Sequence, residues 1–528
     1  SNTTGTGIVA IGHDCLEGNS TGSYITAIGY EAYKSGSASG DHNIAIGVQA
    51  MYAYTTGTLN VAVGNYALDA NTTGQKNTAV GHQAATGNTT GYDNTAVGNR
   101  SLYTCSTGSE TTAIGSRALY AQTTATHNVA VGHQAGTAIT TGSDNTLVGS
   151  NCGITETTGT GLTGIGKGAL QNSTGSYNSA VGVSCLGNIT GNHNVAMGRN
   201  TAAGLGASNY CTAIGDYALD ATSSADNNTA VGYSALTTNS TGASNTALGM
   251  EAMQLNTTGA NNTALGFEAL PVNTTGSYNT AVGYQSLQAC TTSSYNTAIG
   301  WDALKSMTTS TQNTAVGYRA GDDMTGNASV FFGNHAGDGL TTGDQCTMLG
   351  YFAGVGNLAA TTNHQLYIAR NDSGAGASAT WIRGDGNGAC YQGNNSSSWS
   401  TTSDRRIKKN IVDIDSTKGL EIVNKIRIRN FEYRKPEEID LSEFPIVTAD
   451  GRDGTCLAVD QEGTQIGVIA QEYEEVLPNS VIVDEAKGNK EVDTDALIWH
   501  LTQSVQELST KNDALAAEVA SLKSQINN

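Results

Sequence analysis

Proline is nearly absent from this chain, with 4 residues in 528. Proline removes a backbone donor, so a chain this poor in it is built to hydrogen-bond along its whole length. Charge is sparse as well, at 13%, and basic charge is sparser: 25 Lys and Arg stand against 45 Asp and Glu, for a net charge of -20. Nucleic acid and anionic membrane are excluded as partners, because both are recognised through basic surface. No apolar run approaches the roughly eighteen residues of a spanning helix, so no membrane insertion is expected. Cysteines 15, 105, 152, 185, 211, 290, 346, 390 and 456 stand singly, with no C-x-x-C pair. That dispersal argues against a disulfide framework or zinc site and for small buried apolar residues; no metal and no cofactor are expected. No signal peptide is read at Ser1, where the chain opens inside a repeat-like phrase without an initiator Met.

What the chain has in excess is glycine, 66 residues. No third-position rule accompanies it, which excludes collagen. Instead one glycine recurs in phase, from Ile-Val-Ala-Ile-Gly12 through Asn-Val-Ala-Val-Gly64 and Asn-Thr-Ala-Val-Gly81 to Cys-Thr-Met-Leu-Gly350, with a period of 17 residues and single-residue slips near Gly47, Gly182, Gly198 and Gly333. A period this short and regular predicts a solenoid. Alternation before the glycine predicts a strand with Thr78 and Val80 on one face and Ala79 on the other. The Asn-Thr-Thr-Gly phrase that follows reads as a turn, with Asn bonding its own backbone and Gly supplying a positive φ. Each coil is expected to hold two short strands around a thin interior, and the alanine faces are expected to let several rolls pack together.

In the later coils the residue after the repeat glycine is often aromatic: Tyr233, Phe267, Tyr284, Trp301, Tyr318 and Tyr351. A row of rings at coil spacing is a candidate for stacking on sugars, or for packing at a corner of the roll. Other motifs are decoys. Gly159-Thr-Gly161-Leu-Thr-Gly164 has dinucleotide-binding spacing but falls on the repeat's own glycines with no helix behind it. Arg383-Gly384-Asp385 reads as a turn, and the Asn-x-Thr triplets read as turns before glycosylation sites.

The Asn-Thr-Ala-Val-Gly and Asn-Val-Ala-Val-Gly phrases resemble the head repeats of trimeric autotransporter adhesins of the YadA type. The resemblance implies a left-handed parallel β-roll in which three chains associate, over residues 1–350.

Residues 351–402 read as a β-rich transition and linker. From Ser403 the composition changes: the last 126 residues carry 15 Lys and Arg and 24 Asp and Glu. Three phrases follow in order: Thr401-Thr402-Ser403-Asp404-Arg405-Arg406-Ile407-Lys408-Lys409, then Ile466-Gly-Val-Ile-Ala-Gln-Glu-Tyr, then a helical tail. They resemble the intramolecular chaperone of endosialidases, a self-cleaving family at the C-termini of phage tail spikes and fibres. The resemblance implies a trimeric α+β chaperone over 403–528 that helps fold the preceding β-structure and cuts itself off between Thr402 and Ser403. Ser403 would be the nucleophile and Lys408 its base. A lysine serves as a base when its pKa is lowered, and Arg405, Arg406 and Lys409 surround Lys408 with like charge. In the tail, Ile498, Val505, Asn512, Val519 and Ile526 fall on one heptad position and Leu501, Leu508, Leu515 and Leu522 on the other, which predicts a coiled coil over 497–526.

Together these expectations describe a mainly β, homotrimeric phage tail fibre, extracellular in the virion tail. It would contact other tail proteins and a host-surface receptor, with glycan as one candidate. Apart from a single-turnover self-cleavage it carries no enzyme, since the repeats offer too few carboxylates for a glycosidase pair. The alternative is a bacterial trimeric surface adhesin using the same chaperone.

Overall fold

The computed structural model describes residues 4–34, 39–221, 224–354, 363–369, 380–384, 390–392, 418–432, 434–435, 438–439, 464–483, 490–492 and 495–526. The chain divides into two compact units, Ser1–Trp399 and Ser400–Asn528.

The first unit is a parallel β-solenoid. Three-residue strands β1 (Val9–Ile11) to β21 (Thr347–Leu349) each occupy the residues just before a repeat glycine. Each pairs in parallel with its successor, like residue on like residue: Val9 on Thr26, Ala79 on Ala96, Ala281 on Ala298. At about 4.8 Å per step, twenty such steps make a ladder about 100 Å long. Antiparallel strands β22 (Leu366–Ala369), β23 (Thr380–Gly384) and β24 (Cys390–Gln392) follow, with β22 joined in parallel to β21.

A coil therefore has one strand, not two. The remainder closes through residues at positive φ, as the coil around Gly283 shows. Tyr278, Gln285 and Leu287 sit at φ 60, 52 and 55° beside Gly283 at 132°. Bulky residues avoid this region, and here the neighbouring coils compensate. The N–H groups of Tyr278, Gly283 and Gln285 donate back to Ala260, Leu265 and Phe267, at 3.1, 2.8 and 3.0 Å. Those of Leu287, Ala289 and Thr291 donate forward to Ala303, Lys305 and Thr308, at 3.0, 2.9 and 3.0 Å. Pro271 fits this scheme, because its position, five after the repeat glycine, donates no coil-to-coil bond among the described residues. Gly283 is required twice over: its φ strains an L residue, and a Cβ there would collide with the Gly300 carbonyl.

The turn phrase works differently from expectation. Gly74 is not at positive φ; it is glycine because a Cβ would strike the Gly91 carbonyl and the Asn71 side chain. The left-handed residue is Lys76, two places later, at φ 56°. The turn asparagines are buried and stack into a ladder, with Asn256 Nδ2 donating to Asn239 Oδ1 and Asn273 Nδ2 to Asn256 Oδ1, both at 2.8 Å. A second buried ladder stands before the strands. Asn279 N donates to Asn262 Oδ1 at 2.9 Å, Asn296 N donates to Asn279 Oδ1 at 3.1 Å, and Asn279 Nδ2 closes its own loop on Ser293 O at 2.8 Å.

The faces of the strand are also reversed from the expected packing. The alanines two before the repeat glycine, Ala79 and Ala281 among them, are wholly buried inside their own roll. They meet a second buried row four after the glycine, mostly Leu, as at Leu68, Leu270 and Leu287. Where the strand residue is large, the Leu row gives way to glycine. Leu147 is flanked by Gly136 and Gly153, and a Cβ on these would lie 3.0 and 2.9 Å from Leu147 Cδ1. Phe331 likewise lies against Gly321 and Gly337. Six cysteines, from Cys105 to Cys346, are free and buried at other positions of the coil, three or seven after the repeat glycine or four before it, and burial raises their pKa, to about 11 for Cys105 and about 12 for Cys152. Cys390 is exposed, contrary to the expected burial, and Cys456 lies outside the described residues.

In the second unit, helix α1 (Gly419–Lys425) packs on helix α3 (Asp495–Ile526). Strand β25 (Arg429–Phe431) pairs antiparallel with β26 (Gln465–Gly467), which leads into helix α2 (Ala470–Glu474). Strands β27 (Val481–Val483) and β28 (Lys490–Val492) form a second antiparallel pair.

Candidate functional site

The aromatic row lies on the solenoid surface because every coil places the residue after its glycine at the same corner. Phe267 and Tyr284 are stacked at 5.4 Å and 12°, so the faces between them cover one another. Tyr284–Trp301 and Trp301–Tyr318 are tilted by 35 and 49°, at 4.5 and 6.4 Å, which opens part of each ring face. Trp301 is the most exposed of these, at 52%. Tyr233 does not join the stack; it meets Tyr217 edge-on at 6.1 Å. Tyr318 then meets edge-on, at 5.2 Å, His335 of the neighbouring position two after its glycine, which stacks on Phe352 at 4.5 Å and bonds Asp338 Oδ2 at 2.7 Å through Nδ1.

A second row is not evident from the sequence. Five residues before the repeat glycine, Tyr177, His193 and Tyr210 stack at 5.0 and 5.2 Å, and Tyr278 stacks on Tyr295 at 5.0 Å. Alignment on the glycine brings these rings together, but the same row holds Lys76, Asp93 and Glu110, which breaks its aromatic signal.

In the second unit, the phrase beginning at Ile466 supplies both a strand and a helix. Tyr473 of α2 is buried, and Glu472 receives a two-pronged bond from Arg429 of β25, with Nε at 3.0 Å and Nη2 at 2.7 Å. That pairing lowers the Glu472 pKa. Lys490 of β28 bonds Glu474. The start of α1 is capped from far along the chain: Glu507 of α3 accepts the N–H groups of Gly419 at 2.7 Å and Leu420 at 3.3 Å, a carboxylate on a helix N-terminus. Gly419 permits the approach, since a Cβ there would lie 2.8 Å from Gln503 Cγ.

Val423, Ile426, Ile428, Ile466, Leu497 and Leu501 line an apolar depression of about 420 Å³ in this unit. Beyond Ser504, the heptad residues Val505, Leu508, Leu515, Val519, Leu522 and Ile526 are all exposed on α3. Among the described residues nothing covers this stretch of the stripe.

Thr402, Ser403 and Lys408 lie outside the described residues. Among the described residues, no group of three or more His, Cys, Asp or Glu side chains gathers where a metal ion could sit.

Residues 403–482 match the family model described as chaperone of endosialidase. The match begins on Ser403 and takes in α1, α2, β25 and β26. No curated protein matches the chain.

Proposed function

We propose that this chain is a homotrimeric phage tail fibre whose C-terminal unit assists folding of the solenoid and then releases itself by cutting between Thr402 and Ser403. One observation carries this reading: the chaperone-of-endosialidase match opens on a serine, Ser403, and follows a long β-shaft in the chain. In the proposed reaction Lys408 takes the Ser403 hydroxyl proton and Oγ attacks the Thr402 carbonyl carbon. The Thr402–Ser403 C–N bond breaks, the proton passes to the departing amine, and an ester remains. Water then hydrolyses the ester, leaving a Thr402 carboxylate and a free Ser403 N-terminus. The exposed heptad stripe of α3 supports assembly from copies of the chain, since its apolar residues gain cover as a coiled coil.

Replacing Ser403 with Ala gives a single full-length species by intact mass, whereas release of the 403–528 fragment from that variant refutes the assignment. The repeat phrases keep a bacterial surface adhesin as the second reading. A membrane anchor or signal peptide encoded upstream selects it, and a baseplate-attachment domain selects the fibre. Receptor contact at the aromatic row belongs to its tilted stretch, Tyr284 to Tyr318. A folded Tyr284→Ala/Trp301→Ala shaft that binds host cells like the parent removes that role.

A further inference from the structure

Basic charge is scarce on the solenoid, and at four places an acid answers it. Lys34 lies within 3.5 Å of carboxylate oxygens of Asp14, Glu17 and Glu31, Lys305 pairs with Asp302 at 3.2 Å, and Arg319 pairs with Asp322 at 2.6 Å. Arg199 meets Asp216 of the next coil at 3.4 Å. Arg100 and Arg117 are placed differently. Both stand two after the repeat glycine, in neighbouring coils, and among the described residues their side chains contact only uncharged groups. One coil step, about 4.8 Å, separates two like charges that repel.

Those uncharged neighbours hold the guanidinium groups in place. Arg100 lies over the Tyr103 ring at 5.8 Å and Arg117 over the Tyr120 ring at 5.7 Å, and the two rings stack on each other at 5.0 Å and 4°. Arg100 Nε also donates to Gln83 Oε1 at 2.8 Å. A fork pinned in this way gives up little freedom when it meets an anion. Acid is missing from the surroundings as well. From the coil of Gly47 to that of Gly198, the two positions after the repeat glycine hold no Asp or Glu. The same positions hold Asp14 and Glu31 before that stretch, and Asp216, Glu251, Glu268 and Asp302 beyond it. On a chain of net charge -20, this corner is a local positive field.

We propose that Arg100 and Arg117 form a binding site for an acidic saccharide, whose carboxylate or phosphate is held between the two forks. A separation of about 4.8 Å lets both forks reach one oxyanion from opposite sides at ordinary hydrogen-bond distance. Asn99, Ser116 and Gln134 stand at the same corner in these coils and the next, and they supply the uncharged donors and acceptors that sugar hydroxyls need. Other anionic or protein partners fit less well. A nucleic-acid duplex is held by many cations spread along its backbone, and here only two stand side by side. A protein partner is anchored by open aromatic or apolar groups, whereas the two tyrosine rings cover one another. The site is separate from the aromatic stretch Tyr284 to Tyr318, which lies ten strands further along the ladder, β17 against β7. Its failure would leave that stretch and the self-cleavage untouched.

The test runs the full chain through native gels carrying polygalacturonate, phosphomannan or neutral dextran, each read against a polymer-free gel. Retardation by polygalacturonate marks a carboxylate ligand and retardation by phosphomannan a phosphate, while dextran should leave the chain unretarded. Arg100→Gln/Arg117→Gln removes both forks and should weaken retention at least about tenfold, the worth of a hydrogen bond to a charged group. Gln83→Glu keeps both arginines and turns the 2.8 Å bond to Arg100 into an ion pair, so it should weaken retention in the same direction and serves if the double variant does not fold. Arg199→Gln, whose charge Asp216 already meets, should run like the parent. A parent retained by neither acidic polymer, or equally by dextran, overturns the proposal, and so do folded variants at Arg100, Arg117 and Gln83 that run like the parent. Retention by duplex DNA but by no acidic polysaccharide assigns the corner to nucleic acid and also overturns it.

Discussion

Asn279 is the place to test what holds the coils together. Its Oδ1 accepts the backbone N–H of Asn296 at 3.1 Å, and its Nδ2 donates to Ser293 O at 2.8 Å. Changing it to Ala strips the partner from a buried N–H in one coil and from a carbonyl that closes its own loop. Each buried group left unpaired costs about 1–3 kcal/mol, so about 3 kcal/mol is expected for the two together. In a solenoid a coil touches only its neighbours, so the loss stays local. Hydrogen exchange read by mass spectrometry should show protection falling about a hundredfold in residues 278–313, at 1.4 kcal/mol per tenfold, with distant coils unchanged. A change under about threefold there, or an equal loss along the whole shaft, would refute the claim that the asparagine ladder fastens each coil to the next.

Two further changes probe the interior. Phe331→Ala should cost about 3–5 kcal/mol by opening a cavity, and adding Gly321→Leu with Gly337→Leu should restore most of it, because the triple variant recreates the Ala–Leu core of other coils; thermal melts that fail to recover would show that the two rows do not trade volume. Glu156 is buried at the position that Asn71, Asn88 and Asn256 hold in other coils, and burial raises its pKa although Gly159 and Thr157 donate to Oε1 at 2.7 and 3.0 Å. A carboxyl with a raised folded pKa is least harmful when protonated, so the stability it permits is full below its unfolded pKa and falls as pH rises through the folded one. Glu156→Gln should therefore melt higher than the parent at neutral pH and about equally at low pH; equal melting at both would remove the argument.

The solenoid, its period and its strand are legible in the residues alone, because one glycine per coil cannot be replaced. A Cβ at Gly283 would meet the carbonyl of the next coil at a φ that side chains rarely adopt. The helical tail is legible for a similar reason, its heptads spanning most of Asp495–Ile526. The division of labour within a coil is not. Asn-Thr-Thr-Gly has the composition of a flexible turn, and only the stack turns its asparagine into a buried ladder residue bonded 17 places away.

The sequence by itself determined that Thr78 and Val80 lie opposite Ala79, since alternation requires it. Which side faces inward was decided by tertiary structure. The Leu row four after the glycine fills the thin interior, and the width that remains admits alanine on most coils, or a larger residue only where that row becomes glycine, as at Leu147 and Phe331. The larger Val and Ile residues are thereby turned outward, away from the core of their own roll.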